Sequence, residues 1–205
     1  MDRPQLHLIT DPALDPLEQV RRIELAVPHG VDAVHLRLPA ASAREVYDLA
    51  MVLQGSLVSR GVPLIVNDRI DVALAVNAGG VQVGARGLPL RAVRRMLGPA
   101  APVGVSVHSV DEATAAERDG ATWVTFGHVW ETGSHPGEPG RGVEALREVA
   151  IAVEVPVIAI GGITTAQVPE ALAAGASGIA VISAILAADD PAEATGTIRA
   201  ALDTA

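Results

Sequence analysis

The sequence predicts an α/β chain closed into a single (β/α)8 barrel, on three observations. Short β-branched apolar runs alternate strictly with Ala/Leu/Arg/Glu-rich segments of helical spacing, each closed by Gly or Pro. The apolar runs number eight, and 205 residues leave room for few insertions. No Gly-rich nucleotide turn follows the first run, which argues against an open doubly wound sheet.

The runs are LHLIT from Leu6, AVHLRL from Ala33, PLIVND from Pro63, GVQVG from Gly80, VGVSVH from Val103, WVTFGHV from Trp123, VPVIAIGG from Val155 and GIAVISAI from Gly178. Each reads as a buried strand. Between them LEQVRRIELAV, AREVYDLAMVLQGSLVSR and VPEALAAG repeat apolar residues every three to four positions and read as amphipathic helices. Strict alternation requires parallel strands joined by right-handed crossovers. With no linker or low-complexity tract, residues 1–205 read as a single domain.

Composition narrows the partners. The net charge is −9 and no Lys/Arg-rich block offsets it; two tryptophans, one tyrosine and one phenylalanine offer little to stack on bases. Nucleic acid is not an expected partner. There is no cysteine, no signal-like opening segment and no apolar run of spanning length, so a soluble cytoplasmic protein without membrane contact is expected.

In such barrels the active site forms where strands end and their loops begin. Those ends present Thr10, Asp11, His35, Arg37, Asn67, Asp68, Gln82, Ser106, His108, His128, Gly161, Gly162, Ser183 and Ala184. A purely structural rim would also be polar, so chemistry has to be argued unit by unit. AIGGI at the seventh run places Gly161 and Gly162, where missing side chains let backbone N–H groups approach a ligand, ahead of a helix N-terminus at TTAQ. Ser183 and the backbone at Ala184 lie in the adjacent unit. Together they resemble the phosphate corner that many barrels build after strands seven and eight, so a phosphorylated substrate is expected.

His128 closes the sixth run, where an imidazole could move a proton near neutral pH. His35 and Arg37 share one face of the second strand and would meet an anion if that face is the lumen. His108 precedes SVDEA, where Ser109 or Asp111 looks like a helix N-cap with Glu112 in the first turn. No histidine has a second ligand at metal spacing, so no metal site is expected. Asp68 alone could touch a hydrated Mg²⁺ only with help from substrate phosphates. Trp123, Tyr47 and the methionines read as core residues, and Trp130 could wall a ligand at the loop entrance.

Taken in order, VNDRIDVALAV, GVSVHSVDEA, FGHVWET, GRGVEAL, VPVIAIGGIT and GIAVISAI resemble the thiamine phosphate synthase/TenI superfamily of (β/α)8 barrels. The resemblance covers nearly the whole chain and implies two competing activities. A synthase joins a pyrimidine pyrophosphate to a thiazole phosphate, using a lysine in a second-strand QLREK, two Mg²⁺-holding aspartates, the second in GQxDLP, and a lysine in a PTxTK loop. Here the second strand reads HLRLP, which puts His35 at the glutamine and Pro39 at the lysine. GARGLP leaves Gly87 at the second aspartate, and His135 stands at the loop lysine.

The His-x-Arg pair His35/Arg37, FGHVWET and GRGV are closest to TenI, the thiazole tautomerase. The expectation is therefore an isomerase that aromatises a carboxylated thiazole phosphate, with His128 as proton shuttle and no cofactor. Substrate would be bound by His35, Arg37, Asn67, His108, Gly161, Gly162, Ser183 and Ala184. Synthase activity with Mg²⁺ at Asp68 is the alternative, and a non-catalytic regulatory barrel a further one; a homodimer is plausible. The long glycine-rich loop after His128 reads as a partly open lid.

Overall fold

The computed structural model describes residues 3–134 and 136–205 and is the barrel the alternation predicts. Eight parallel strands close in sequence order: β1 (Gln5–Ile9), β2 (Ala33–Leu36), β3 (Leu64–Asn67), β4 (Gly80–Val83), β5 (Val103–Val107), β6 (Trp123–Phe126), β7 (Val157–Ile160) and β8 (Gly178–Val181), with β8 pairing back onto β1. Closure leaves no sheet edge exposed.

The helices are α1 (Pro16–Ala26), α2 (Ala43–Val58), α3 (Ile70–Ala75), α4 (Leu90–Leu97), α5 (Val110–Arg118), α6 (Val143–Ala152), α7 (Val168–Ala173), α8 (Ser183–Leu186) and α9 (Pro191–Thr204). Their starts are written locally. Asp15 accepts from the backbone N–H groups of Leu17 and Glu18, with Pro16 opening α1. Ser42 and Glu45 close a reciprocal capping box on α2. Ser109 accepts from Glu112 N at 3.2 Å, which selects Ser109 over Asp111 as the cap of α5.

Strand alternation sorts the side chains into two compartments. Leu6, Leu8, Val34, Leu36, Leu64 and Val66 face the helices and join Ile23, Leu53 and Leu57 in one continuous core. The opposite face fills the lumen. There Ile9, Ile158 and Ala180 form a separate cluster with Trp123, Ile160 and Ile182 against it. Trp123 lies among lumen side chains because Gly104 faces it: a Cβ on Gly104 would stand 2.1 Å from the indole Cε2. At the barrel floor, Asp32 accepts from Leu6 N at 2.8 Å and from Arg199 Nη1 at 3.1 Å, tying β1 to α9.

Two expected strand ends lie elsewhere. β6 stops at Phe126, so His128 belongs to the segment that follows, and Ser183 begins α8 instead of ending β8. Both runs are apolar enough to continue as strand, but a ladder persists only where neighbours still pair. Val129 N and Trp130 N bond instead to the carbonyls of Ile160 and Gly161, at 2.9 and 3.1 Å. Among the described residues no helix is long and apolar enough to cross a membrane.

Candidate active site

Rim residues gather in distinct corners. On the first side, the Thr10 hydroxyl bridges the backbone of Arg37, donating to its carbonyl at 3.1 Å and accepting from its N–H at 2.8 Å. That clamp holds the end of β2 against the end of β1. His35 pairs with Ile65 and Leu36 with Val66, so Arg37 and Asn67 come next at the ends of adjacent strands. Among the described residues no carboxylate pairs with the half-buried Arg37 guanidinium, which leaves a cation available to an anionic ligand.

Asp68 is exposed, adopts a left-handed backbone (φ 59°), and is held from both ends by β4 and its loop. Its N–H donates to Gln82 O at 2.9 Å and its Oδ1 accepts from Gly84 N at 2.8 Å. A Cβ on Gly87 would stand 2.5 Å from that Oδ1, so the carboxylate occupies space a larger residue at 87 would claim. Among the described residues no group of three or more acidic or imidazole side chains is placed to hold a metal by itself. Pro39 is exposed in the loop after β2, and His135 lies outside the described residues.

His108 is already engaged. Its N–H donates to Glu112 Oε2 at 2.7 Å, its Nδ1 lies 3.1 Å from the same oxygen, and its carbonyl accepts from Arg141 Nη1 at 3.2 Å. Arg141 Nε also donates to Gly127 O at 3.0 Å, so one guanidinium ties the ends of β5 and β6 together. Nothing but the GRGV motif signalled this residue.

The seventh corner is tightly packed. His128 is buried, with Nε2 at 3.4 Å from Glu138 O. Gly161 (φ 99°) and Gly162 (φ 66°) are left-handed, and a Cβ on Gly161 would stand 2.3 Å from His128 Cβ. A Cβ on Gly162 would stand 2.4 Å from Glu131 O and 2.8 Å from Trp130 Cβ. The glycines are thus required by the crossing β6–α6 loop as well as by any ligand at their backbone. Ser183 is exposed at the start of α8 beside half-buried Ala184. A groove of about 440 Å³ runs along the β6–α6 loop, but its lining includes Glu131 and Glu138, which disfavours an anion there.

Beneath the rim, the lumen holds a polar network that sequence reasoning largely missed. His35 is 1% exposed; its Nε2 lies 3.0 Å from His7 Nδ1, and His7 Nε2 lies 2.8 Å from Gln5 Oε1. Desolvation lowers the His7 pKa to about 4. Desolvation, then the neighbouring His7, hold His35 well below the ordinary value, with the Asn67 amide opposing. Gln82 Oε1 accepts from Trp123 Nε1 at 3.1 Å and from Thr125 Oγ1 at 3.4 Å, while its Nε2 donates to Ser106 Oγ at 3.0 Å. Gln82 and Ser106 therefore brace each other within the barrel. His7 and Gln5 had one available signal: they share the inward parity of Ile9.

Comparison with known proteins corrects the functional expectation. The family described as thiamine monophosphate synthase matches residues 6–185. A thiamine-phosphate synthase of Chlorobium luteolum is 43% identical over 98% of this chain and 94% of its own length. One from Salinispora arenicola is 46% identical over 97% of each chain. The solved thiamine phosphate pyrophosphorylase of Pyrococcus furiosus superposes with a TM-score of 0.88 at 36% identity, covering 97% of this chain and 95% of that one.

These likenesses run to synthases, so the TenI assignment, the isomerase activity and the thiazole tautomerase function are overturned. The proton-shuttle role of His128 rested on that reading and goes with it. The departures at Pro39, Gly87 and His135 are single positions, whereas the binding field of a rim is the sum over all its groups. The chain belongs to the thiamine monophosphate synthase family.

Proposed function

We propose that the protein is a thiamine-phosphate synthase. It transfers the pyrimidinylmethyl group of a pyrimidine pyrophosphate to the ring nitrogen of a thiazole phosphate. The carbon–oxygen bond to pyrophosphate breaks, its electron pair leaves with the pyrophosphate, and the nitrogen lone pair forms the new carbon–nitrogen bond. The observation that carries this reading is similarity to synthases over nearly the full length of both partners.

The site supports it through a division of labour. Gly161, Gly162, Ser183 and Ala184 are assigned the thiazole phosphate, held by backbone N–H groups and one hydroxyl. Arg37 is assigned the pyrophosphate, because among the described residues its guanidinium has no carboxylate to satisfy and can fork onto phosphate oxygens. Asn67 orients the pyrimidine substrate beside it. His108, fixed by Glu112 and Arg141, lines the mouth.

Asp68 fits Mg²⁺ in the manner usual for that ion, one carboxylate completed by water and substrate phosphate, since no second carboxylate stands at Gly87. When bound, the ion would neutralise charge on the departing pyrophosphate. Gly84 N keeps Asp68 Oδ1 in place for it, and Arg37 adds a fixed positive charge on the same side of the mouth. Purified protein given the pyrimidine pyrophosphate, thiazole phosphate and Mg²⁺ is expected to form thiamine phosphate with one pyrophosphate released per turnover. Absence of product with all three present would overturn the reading.

A further inference from the structure

The end of β2 is completed by a side chain from β1, and Arg37 is the residue it completes. In the register of these parallel strands Ile9 stands opposite His35, and Thr10 N donates to His35 O at 2.9 Å. Continued by one rung, a parallel ladder would run from Arg37 N to the Thr10 carbonyl. Here that N–H goes to the Thr10 hydroxyl oxygen at 2.8 Å, and the same hydroxyl donates onward to Arg37 O at 3.1 Å. One fully buried hydroxyl thus fixes the peptide groups on both sides of the Arg37 Cα.

The hydroxyl is itself held in place. Asp11 N, the amide that follows Thr10, donates at 2.5 Å to the side-chain oxygen of Gln19, a buried residue reaching in from α1. Since a backbone N–H only donates, this contact also settles which end of the Gln19 amide faces Asp11. His35 lies inside the lumen, and strand alternation gives Arg37 the same side. That alternation lasts only while the backbone stays extended, and β2 stops at Leu36. The Thr10 hydroxyl carries the strand path one residue further, so the half-buried guanidinium has only its side-chain torsions to lose on meeting an anion.

We propose that Thr10 is a positioning residue for the pyrophosphate: through its two bonds to Arg37 it keeps the guanidinium turned over the lumen, with Gln19 supporting it from behind. The inference rests on the synthase reading for the identity of the anion. Valine has the shape of threonine but would leave the Arg37 N–H and carbonyl without this partner, so the hydroxyl and its packing can be separated.

Thr10→Val is expected to raise KM for the pyrimidine pyrophosphate about five- to tenfold, with kcat and KM for thiazole phosphate within about twofold of wild type. Thr10→Ser restores the hydroxyl and is expected to stay within about threefold of wild type. Equal rises in both KM values, or a Thr10→Ser as impaired as Thr10→Val, would make the residue merely structural and overturn the proposal. In an Arg37→Ala background Thr10→Val is expected to add less than about twofold in kcat/KM, because a residue acting through Arg37 has nothing left to position. A full second loss there overturns it.

Two measurements stand apart from turnover. Binding of inorganic pyrophosphate is expected to weaken by about the same five- to tenfold in Thr10→Val and to recover in Thr10→Ser. A wild type that binds pyrophosphate in this way but forms no thiamine phosphate would sink the synthase reading alone. An active synthase whose pyrophosphate affinity ignores position 10 would sink this inference alone. If Thr10→Val does not fold, amide hydrogen exchange of the wild type decides: Arg37 N–H is expected to exchange as slowly as the amides within β2, and exchange at the rate of an open loop overturns the clamp.

Discussion

The two walls of the barrel lumen are made of opposite chemistry. From β1 round to β6 the inward side chains include His7, His35, Asn67, Gln82, Ser106, Trp123 and Thr125, nearly all hydrogen-bonded to one another. From β7 to β8, and at Ile9, they are Ile158, Ile160, Ala180 and Ile182. The apolar wall leads up to the rim of Gly161, Gly162 and Ser183, where the proposed binding is by backbone. The polar wall leads up to Arg37, Asn67 and Asp68, where the proposed binding is by side chains that must be aimed. Backbone needs only a fixed chain path beneath it, whereas an aimed side chain needs partners. The chain departs from the synthase motif on the aimed side, at Pro39 and Gly87, and keeps the glycine pair on the other.

The sharpest way to break this comparison is to remove the cation of the aimed side. Arg37→Ala is expected to lower kcat/KM for the pyrimidine pyrophosphate by about a thousandfold, roughly 4 kcal/mol of lost charge pairing, measured by pyrophosphate release. A change below about tenfold would mean that the pyrophosphate is held elsewhere.

Next in size is the acid response of the polar wall. His7 titrates near 4 when folded and near 6.5 when unfolded, so between these values the unfolded chain binds more protons. The contribution is present above pH 6.5 and is lost as pH falls through the folded value, about 3 kcal/mol in all. Urea unfolding across pH 4 to 7 checks it, and His7→Leu is expected to flatten that slope. An equally steep slope in the variant would place the proton uptake elsewhere.

On the backbone side, Gly161→Ala puts a Cβ into His128 at a left-handed φ, and about 2 kcal/mol of stability is expected to go. Thermal melts report it, together with weaker binding of thiazole phosphate. The smallest effect belongs to Ser183→Ala, a single hydroxyl: KM for thiazole phosphate is expected to rise about fivefold, near 1 kcal/mol, with KM for the pyrimidine pyrophosphate unchanged. If both constants move together, the two rims are not separate subsites.

Much of this architecture was legible in advance because period-two and period-3.6 patterns report burial directly. All eight apolar runs became strands, and a helix N-cap at Ser109 or Asp111 was visible beside Glu112, of which the structure uses Ser109. Less legible were residues whose role depends on a partner far away in sequence. His7 sits inside an apolar run and looks like an interruption until His35 is found beside it. Trp123 was read as core, and it does pack, yet its indole N–H also holds Gln82, which only the Gly104 gap across the strand makes possible. His128 drew attention as a strand-end imidazole, while tertiary contacts turned it into a buried neighbour of Gly161. The choice between two activities of one superfamily is carried by similarity over nearly the whole chain, which a few rim positions do not report.

By itself the sequence determined the barrel and which apolar runs are its strands, since hydrophobic periodicity and chain length leave one closed solution. Only the tertiary structure decided which rim residues are aimed, which are packed, and which stand on buried supports. The physical reason is that a hydrogen bond or a close approach depends on distance between strands, and separation along the chain carries no such distance.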